Sequence, residues 1–240
     1  RVRYGLVSGL GVLALFFTLL ARRFQLTRKQ KAEIEKKNNS ITESIYYAKQ
    51  IQDAMLTSDE YMNNSLKEHF VFYQPKDIVS GDFYWAYKVN STTTMVAVVD
   101  CTGHGVPGAF MSMLASSLLN EVIIDKAITN VGDVLNTMRA LLIKALDKGK
   151  GQTKSTDGMD MTLLKIDNNT GKVSFAGAGH NLHLLAKDGL TEVKGNLFPV
   201  GYFYGKGTPF VIKELTLQEG DAIYLTSDGF ADQFGGDNNK

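Results

Sequence analysis

The sequence predicts a mixed α+β domain built on antiparallel sheets. Segments rich in β-branched and aromatic residues stand on both sides of a central block with helical periodicity. Turn motifs at 168–171 and at Asp188-Gly189 separate neighbouring strand-like segments, which is typical of hairpins. The order of strands, then two helices, then strands therefore indicates sheets with the helices packed outside them.

The chain opens with an uncharged apolar stretch at 4–21. A helix of this length, at 1.5 Å per residue, nearly spans a hydrocarbon core of about 30 Å. We therefore predict a transmembrane helix within residues 1–21. Arg22 and Arg23 follow it directly, so the positive-inside rule places the rest of the chain in the cytoplasm, at the inner membrane. A buried core helix and a signal peptide are the alternatives.

A polar, helix-favouring linker is predicted over 22–66. Apolar residues recur every seven positions within it, at Ile34, Ile41, Ala48 and Met55. Lys37 and Ser44 weaken the companion positions and only Ile51 is apolar there, so a stable isolated coiled coil is not expected. We expect this helix to pack on the following domain or on a second copy of itself in a homodimer. A solvated spacer is the alternative.

Residues 67–240 form the globular domain. Strands are predicted at 70–73, 82–89, 93–100, 161–166, 172–176, 182–186, 210–217 and 222–226. Two helices are predicted at 106–125 and 131–147, the second with Asn130 as its N-cap. The apolar positions Met111, Met113, Leu114 and Leu118 are interpreted as the buried face of the first helix.

Composition excludes several classes of function. The formal net charge of +1 gives no indication of nucleic-acid binding. The single cysteine, Cys101, excludes an intramolecular disulfide and fits a reducing compartment. The sequence has no cysteine and histidine cluster of the kind that binds zinc.

Three aspartates stand beside glycines at the ends of predicted strands: Asp82, Asp100 and Asp228. Asp100 leads from an apolar strand into a glycine-rich turn that opens a helix. Carboxylate oxygens are preferred ligands of Mg²⁺ and Mn²⁺. The pattern predicts one shared site for divalent cations.

These aspartates belong to an ordered set of motifs. The set is Gly81-Asp82, Asp100-x-x-Gly103-His104-Gly105, Gly177-Ala178-Gly179-His180-Asn181 and Ser227-Asp228-Gly229. From about residue 41 onward the chain resembles the metal-dependent serine/threonine protein phosphatases of the PPM type, in their bacterial SpoIIE/RsbU-like branch. The resemblance implies a four-layered α/β/β/α sandwich with two antiparallel sheets.

The resemblance also implies a site for two Mn²⁺ or Mg²⁺ ions that activate a water nucleophile. Asp100 would bridge both ions, the Cys101 carbonyl and Asp82 would complete the shell of one, and Asp228 would hold the other. Asp232 would bind an additional, weaker ion. The closing aspartate of the family, in an acidic pair followed by threonine, does not occur before Lys240. We expect the domain to be truncated there, the alternative being an incomplete phosphatase.

Five other polar residues are candidates for a catalytic or substrate-binding role. Lys76 lies six residues before Asp82 and is predicted to contact the substrate phosphate, with an exposed loop lysine as the alternative. His104 is interpreted as orienting the turn rather than acting as a general acid. Asp160, His180 and Asn181 are interpreted as structural.

The predicted function is a membrane-anchored phosphatase that removes phosphate from serine or threonine of a bacterial signalling protein. By the resemblance, the substrate is an anti-sigma-factor antagonist. Two alternatives remain open: a catalytically silent scaffold with the same fold, and a nucleotide cyclase, which also uses paired aspartates and a helical linker.

Overall fold

The computed structural model describes residues 2–66, 68–147, 156–203 and 208–230. The chain divides into two compact units, Arg1–Tyr47 and Ala48–Lys240. The second unit is a mixed α+β domain with two antiparallel sheets, which confirms the predicted fold class. The four-layered arrangement stays a prediction.

Helix α1 spans Val2–Met55, and a short helix α2 follows at Asp59–Ser65. The side chain of Ser58 caps α2 by accepting a hydrogen bond from the Tyr61 N–H at 3.2 Å. The predicted continuous linker helix thus ends at Met55, and the capping serine starts a new helix. Judged by length and composition, one helical stretch in the described part of the chain, Gly105–Asp125, could cross a membrane, but 56% of it is buried in the fold. A core helix passes the same test, so the predicted span at 4–21 remains a prediction.

The larger sheet has the strand order β1-β2-β3-β4-β8, with β7 also pairing with β3. Its strands are β1 Phe83–Lys88, β2 Thr93–Cys101, β3 Gly158–Asp167, β4 Lys172–Ala178, β7 Val200–Gly201 and β8 Lys213–Thr216. All neighbours are antiparallel, and the β3–β4 hairpin turns at Gly171 as the sequence predicts.

Helix α3 (Gly105–Leu119) continues as a π-helical turn, Asn120–Asp125, and helix α4 follows at Val131–Leu146. The side chain of Asn130 accepts a hydrogen bond from the Asp133 N–H at 3.0 Å, which confirms the predicted N-cap. Both helices pack on one face of the larger sheet, where Val99 of β2 shares a core with Leu119 and Leu135. Met111 and Leu118 are buried in this core and Leu114 packs against it, as expected for a buried helix face.

The smaller sheet has the order β6-β5-β9, with β5 Leu182–Ala186, β6 Gly189–Val193 and β9 Ala222–Tyr224. The hairpin predicted at Asp188-Gly189 is present between β5 and β6. Phe175 of the larger sheet and Leu182 of the smaller one belong to a second apolar core, so the two sheets pack face to face.

Two of the predicted strands differ from the structure. Residues 70–73, all in the described part of the chain, lie outside any strand. Their aromatic rings make side-chain contacts instead: Phe70 packs edge-to-face on Tyr224, and the Tyr73 hydroxyl donates to the Asp82 carbonyl at 3.0 Å. The strand predicted at 210–217 shortens to β8, and strands β6 and β7 were not predicted.

Candidate metal centre and active site

The turn between β2 and α3 forms the floor of the site. Its backbone is in the left-handed region at Gly103 (φ 90°) and Gly105 (φ 60°), where side chains other than glycine are strained. The Gly81 loop packs so closely beneath it that a Cβ on Gly81 would lie 2.8 Å from the Gly103 carbonyl oxygen. These glycines therefore allow the loop that holds Asp82 to pack against the turn that follows Asp100.

The β1–β2 pairing brings the first two aspartates to one end of the sheet. Phe83 pairs with Val99, so Asp82 and Asp100 are the next positions on the two antiparallel strands. Asp228 starts a 3₁₀ turn shortly after β9. A Cβ on Gly229 in that turn would lie 3.7 Å from the Asp82 carboxylate, so the third motif reaches the same place. The structure thus brings together the three predicted acids.

Electrostatics shows how closely these acids interact. The side chain of Asp100 is only 19% exposed. Burial, the negative charges of Asp82 and Asp228, and hydrogen bonds from these two carboxylates to the protonated form together raise the pKa of Asp100 to about 8. Without a counter-ion, the cluster therefore retains a proton near neutral pH.

The donor set fits a hard divalent cation. It consists of carboxylate oxygens and the Cys101 carbonyl oxygen, which lies 3.1 Å from the place of a Gly81 Cβ. The Cys101 thiol is buried, and burial raises its pKa, so this residue offers its carbonyl and not a thiolate. Within the described ranges, no group of three or more His, Cys, Asp or Glu side chains is already arranged as a formed metal site. The fit rests on the chemistry of the donors and on their mutual repulsion, which a cation would relieve.

Two residues interpreted from the sequence as structural also lie at this site. Asp160 pairs with Asp100 directly across β2 and β3. Burial raises the pKa of Asp160, nearby His180 opposes that shift and Asp228 adds to it. The His180 ring places Nε2 3.9 Å from the Asp100 carboxylate, and its Nδ1 is buried without a hydrogen-bond partner among the described residues. A fourth carboxylate and an imidazole therefore border the three predicted acids.

Of the remaining predicted residues, two are exposed near the site, one is structural and one lies outside the described residues. Lys76 is exposed in the loop before β1. His104 is 88% exposed and pairs through Nδ1 with Asp77, the neighbour of Lys76, at 3.3 Å. Asn181 is a structural hydrogen-bonding residue, since its side chain donates to Glu192 at 2.8 Å and accepts from the Gly195 N–H at 3.0 Å. Asp232 lies outside the described residues.

Comparisons with known proteins place the chain in a family. Residues 90–240 match the family model of stage II sporulation protein E (SpoIIE). A search of curated proteins by sequence gave no match.

Solved structures of phosphatase domains are also similar to this chain. The SiaA-PP2C domain of Pseudomonas aeruginosa is 30% identical with a TM-score of 0.72, over 84% of this chain and 77% of that one. The RsbU and RsbW domains of Rv1364c from Mycobacterium tuberculosis are 26% identical with a TM-score of 0.53, over 67% of this chain and 42% of that one. The PP2C phosphatase domain of SpoIIE from Bacillus subtilis, solved with a fragment of its regulatory domain, shares the fold at 20% identity and a TM-score of 0.51, over 63% and 42%.

The family match disfavours the nucleotide cyclase alternative. It agrees with the family resemblance that the sequence motifs carry. The chain belongs to the SpoIIE family of PPM-type (PP2C-type) phosphatases and is a protein serine/threonine phosphatase.

Proposed function

We propose that this chain is a membrane-anchored phosphatase that hydrolyses phosphoserine or phosphothreonine on a bacterial signalling protein, with two Mn²⁺ or Mg²⁺ ions at the site. The observation that carries the proposal is the meeting of Asp82 and Asp228 around the largely buried Asp100, whose pKa is raised by burial and by their charges. Such mutual repulsion is unfavourable in a fold unless a cation or a proton offsets it.

Each residue of the site has a distinct part in this proposal. Asp82, Asp100, the Cys101 carbonyl and Asp228 would hold the ions, and Asp232 would add a ligand for a weaker one. Bound ions of this kind lower the pKa of a coordinated water and neutralise charge on phosphoryl oxygens. Lys76, exposed at the rim, would bind a phosphate oxygen of the substrate and orient it.

The proposed substrate is a small anti-sigma-factor antagonist domain that carries a phosphoserine or phosphothreonine. The support is the resemblance to the SpoIIE/RsbU-like branch, together with a similar solved structure that holds an RsbU and an RsbW domain. A phosphoprotein substrate also suits a site that is open at its rim, where His104 and Lys76 are exposed.

Anchoring and pairing are proposed for helix α1. The apolar side chains that follow residue 12 on this helix are exposed, and a membrane would cover them: Leu13, Leu15, Phe16, Phe17, Leu19 and Leu20. The seven-residue seam is exposed at Ile34, Ile41 and Met55, which suits contact with the same helix of a second copy. We place the catalytic domain in the cytoplasm, at the inner membrane.

The substitution Asp100→Asn tests the catalytic proposal. It removes one carboxylate that would serve both ions, so we expect Mn²⁺-dependent release of phosphate from a phosphoserine-bearing antagonist domain to be abolished. Asp188→Asn is the matched control, because it makes the same change at an exposed aspartate outside the site. Activity of Asp100→Asn within about threefold of wild type, about 0.65 kcal/mol in barrier, would contradict the role. A wild-type chain that binds Mn²⁺ but releases no phosphate would favour the scaffold alternative.

A further inference from the structure

A buried amide sits on the last turn of α1. Gln52 is 1% exposed, although Gln50, two residues earlier, is exposed. A buried side-chain amide is unfavourable unless its polar atoms are paired, and here they are. Its Nε2 donates to the Ser80 carbonyl at 2.6 Å and reaches the Ser112 hydroxyl at 2.7 Å, while Oε1 accepts from the Ser80 N–H at 3.2 Å.

The amide therefore binds both backbone polar groups of one residue. Gln52 binds the N–H and the carbonyl of Ser80, as a neighbouring β-strand would. The Ser80 hydroxyl in turn accepts a hydrogen bond from the Asp82 N–H at 3.1 Å. The turn that carries Asp82 is thus fixed by a side chain from a different element, 28 residues earlier in the chain.

The same helix end also contacts the other wall of the site. The Ser112 hydroxyl lies 3.0 Å from the Ser80 carbonyl, and Ser116, one turn further along α3, donates from its hydroxyl to the Met55 carbonyl at 3.1 Å. Helix α3 begins at Gly105, in the turn that follows Asp100. The last turn of α1 is therefore bonded to the loop that carries Asp82 and to the helix that follows the Asp100 turn.

We infer that Gln52 is a positioning residue for the metal centre: by clamping Ser80 against α3, it sets the place of Asp82 relative to Asp100. This inference rests on the proposed role of Asp82 as a metal ligand. Gln52 does not touch the reacting groups. It makes the geometry of the metal centre depend on how the last turn of α1 is seated.

A purely structural role for Gln52 predicts something different. Loss of a buried hydrogen-bonding side chain lowers the stability of the fold whatever the metal concentration. A positioning role additionally weakens metal binding in the folded chain. Removal of a partner that orients a metal ligand typically lowers metal affinity or activity by about 10- to 100-fold.

The test uses Gln52→Met, which keeps the length and much of the volume of the side chain but cannot make these hydrogen bonds. Gln50→Met is the matched control, because it makes the same change on an exposed position of the same helix. The full chain is held in detergent, and Mn²⁺ binding is measured by titration calorimetry without substrate. Fluorescence of Trp85, the single and buried tryptophan, verifies folding in EDTA.

We expect Gln52→Met to bind Mn²⁺ at least about tenfold more weakly than Gln50→Met, and to need correspondingly more Mn²⁺ for half-maximal phosphatase rate. Equal Mn²⁺ affinities of the two variants would overturn the inference. Ser80→Ala is the second variant in case Gln52→Met does not fold. This variant deletes only the hydroxyl that accepts the hydrogen bond from the Asp82 N–H. A Mn²⁺ affinity equal to that of wild type would again refute positioning through Ser80. If the wild-type chain binds no Mn²⁺, the proposed metal-dependent function itself fails.

Discussion

Asp100→Asn is expected to stabilise the metal-free chain at the same time as it abolishes activity. In the metal-free fold, burial together with the negative charges of Asp82 and Asp228 raises the pKa of Asp100 from 3.8 to about 8. In the unfolded chain the group ionises near its ordinary value. Asparagine has a similar shape and carries no charge, so the substitution removes the repulsion.

The sign and the pH window follow from proton binding. Between pH 4 and 8 the folded state binds more protons at Asp100 than the unfolded state, so the free energy of unfolding of the wild type falls as pH rises. The stabilisation of the fold by protonated Asp100 is complete below the pKa of this group in the unfolded chain. It is lost as the pH rises through the pKa of Asp100 in the folded chain. The advantage of Asp100→Asn over wild type should therefore grow from pH 4 to 8 and then level off.

The magnitude is limited by the pKa shift. A pKa raised from 3.8 to about 8 corresponds to an upper limit of about 6 kcal/mol, at about 1.4 kcal/mol for each tenfold change in proton affinity. Water reaches the exposed Asp228 and screens part of the repulsion, so we expect about 2 kcal/mol at pH 8.

Denaturant unfolding in EDTA, followed by Trp85 fluorescence, measures this difference in the full chain. Adding Mn²⁺ should reverse the ranking, because a ligand stabilises the fold to which it binds and the variant lacks a ligand group. Asp188→Asn, on the exposed hairpin turn, should show neither effect. A variant that is less stable than wild type in EDTA at pH 8, or a gain that is equal at pH 5 and pH 8, would refute the reasoning.

Two further predictions concern the rim and the linker. Lys76→Ala should lower kcat/KM for the phosphoprotein without changing Mn²⁺ affinity, because it removes a charge-assisted hydrogen bond to the substrate. The free-energy barrier should rise by about 1–3 kcal/mol. Lys187→Ala, on another exposed loop, is the control. If Lys76→Ala and Lys187→Ala have equal kinetics, Lys76 is only a solvated loop residue. Replacing Ile45 and Ile51 together by serine should change self-association in sedimentation or the basal phosphatase rate, since it removes apolar contacts of the linker helix and leaves the proposed metal ligands intact. If association and rate both equal those of wild type, the segment is only a spacer.

Local signals predicted much of the fold. The turn at Gly171, the turn at Asp188-Gly189 and the cap at Asn130 depend on residues close in sequence, and all three are present. Residues 70–73 also have strand composition, yet they are not paired in the described structure. Strand formation needs a partner edge, which composition alone does not reveal.

The acids of the site were predictable because each stands in a glycine-containing motif of its own. Asp160 was not, because its place opposite Asp100 depends on pairing between strands about 60 residues apart. The sequence around Gln52 is equally uninformative: a glutamine on a polar helix resembles any solvated residue, and only the packing of the last turn on α3 buries it. Positions that depend on tertiary pairing are therefore the ones that sequence reasoning missed.

The repulsion at Asp100 and the clamp at Gln52 have a common physical meaning. At an effective dielectric constant of about 20, two carboxylates that move from about 4 to about 5 Å apart lose about 0.8 kcal/mol of repulsion. The metal-free site therefore favours a displaced Asp82, and the hydrogen bonds from Gln52 to Ser80 oppose that displacement. If the seated helix strengthens Mn²⁺ binding by some factor, linkage requires that Mn²⁺ strengthens the seating of the helix by the same factor. A change in α1 that unseats Gln52 would therefore act on catalysis through metal affinity, with the chemistry of the bound site unchanged.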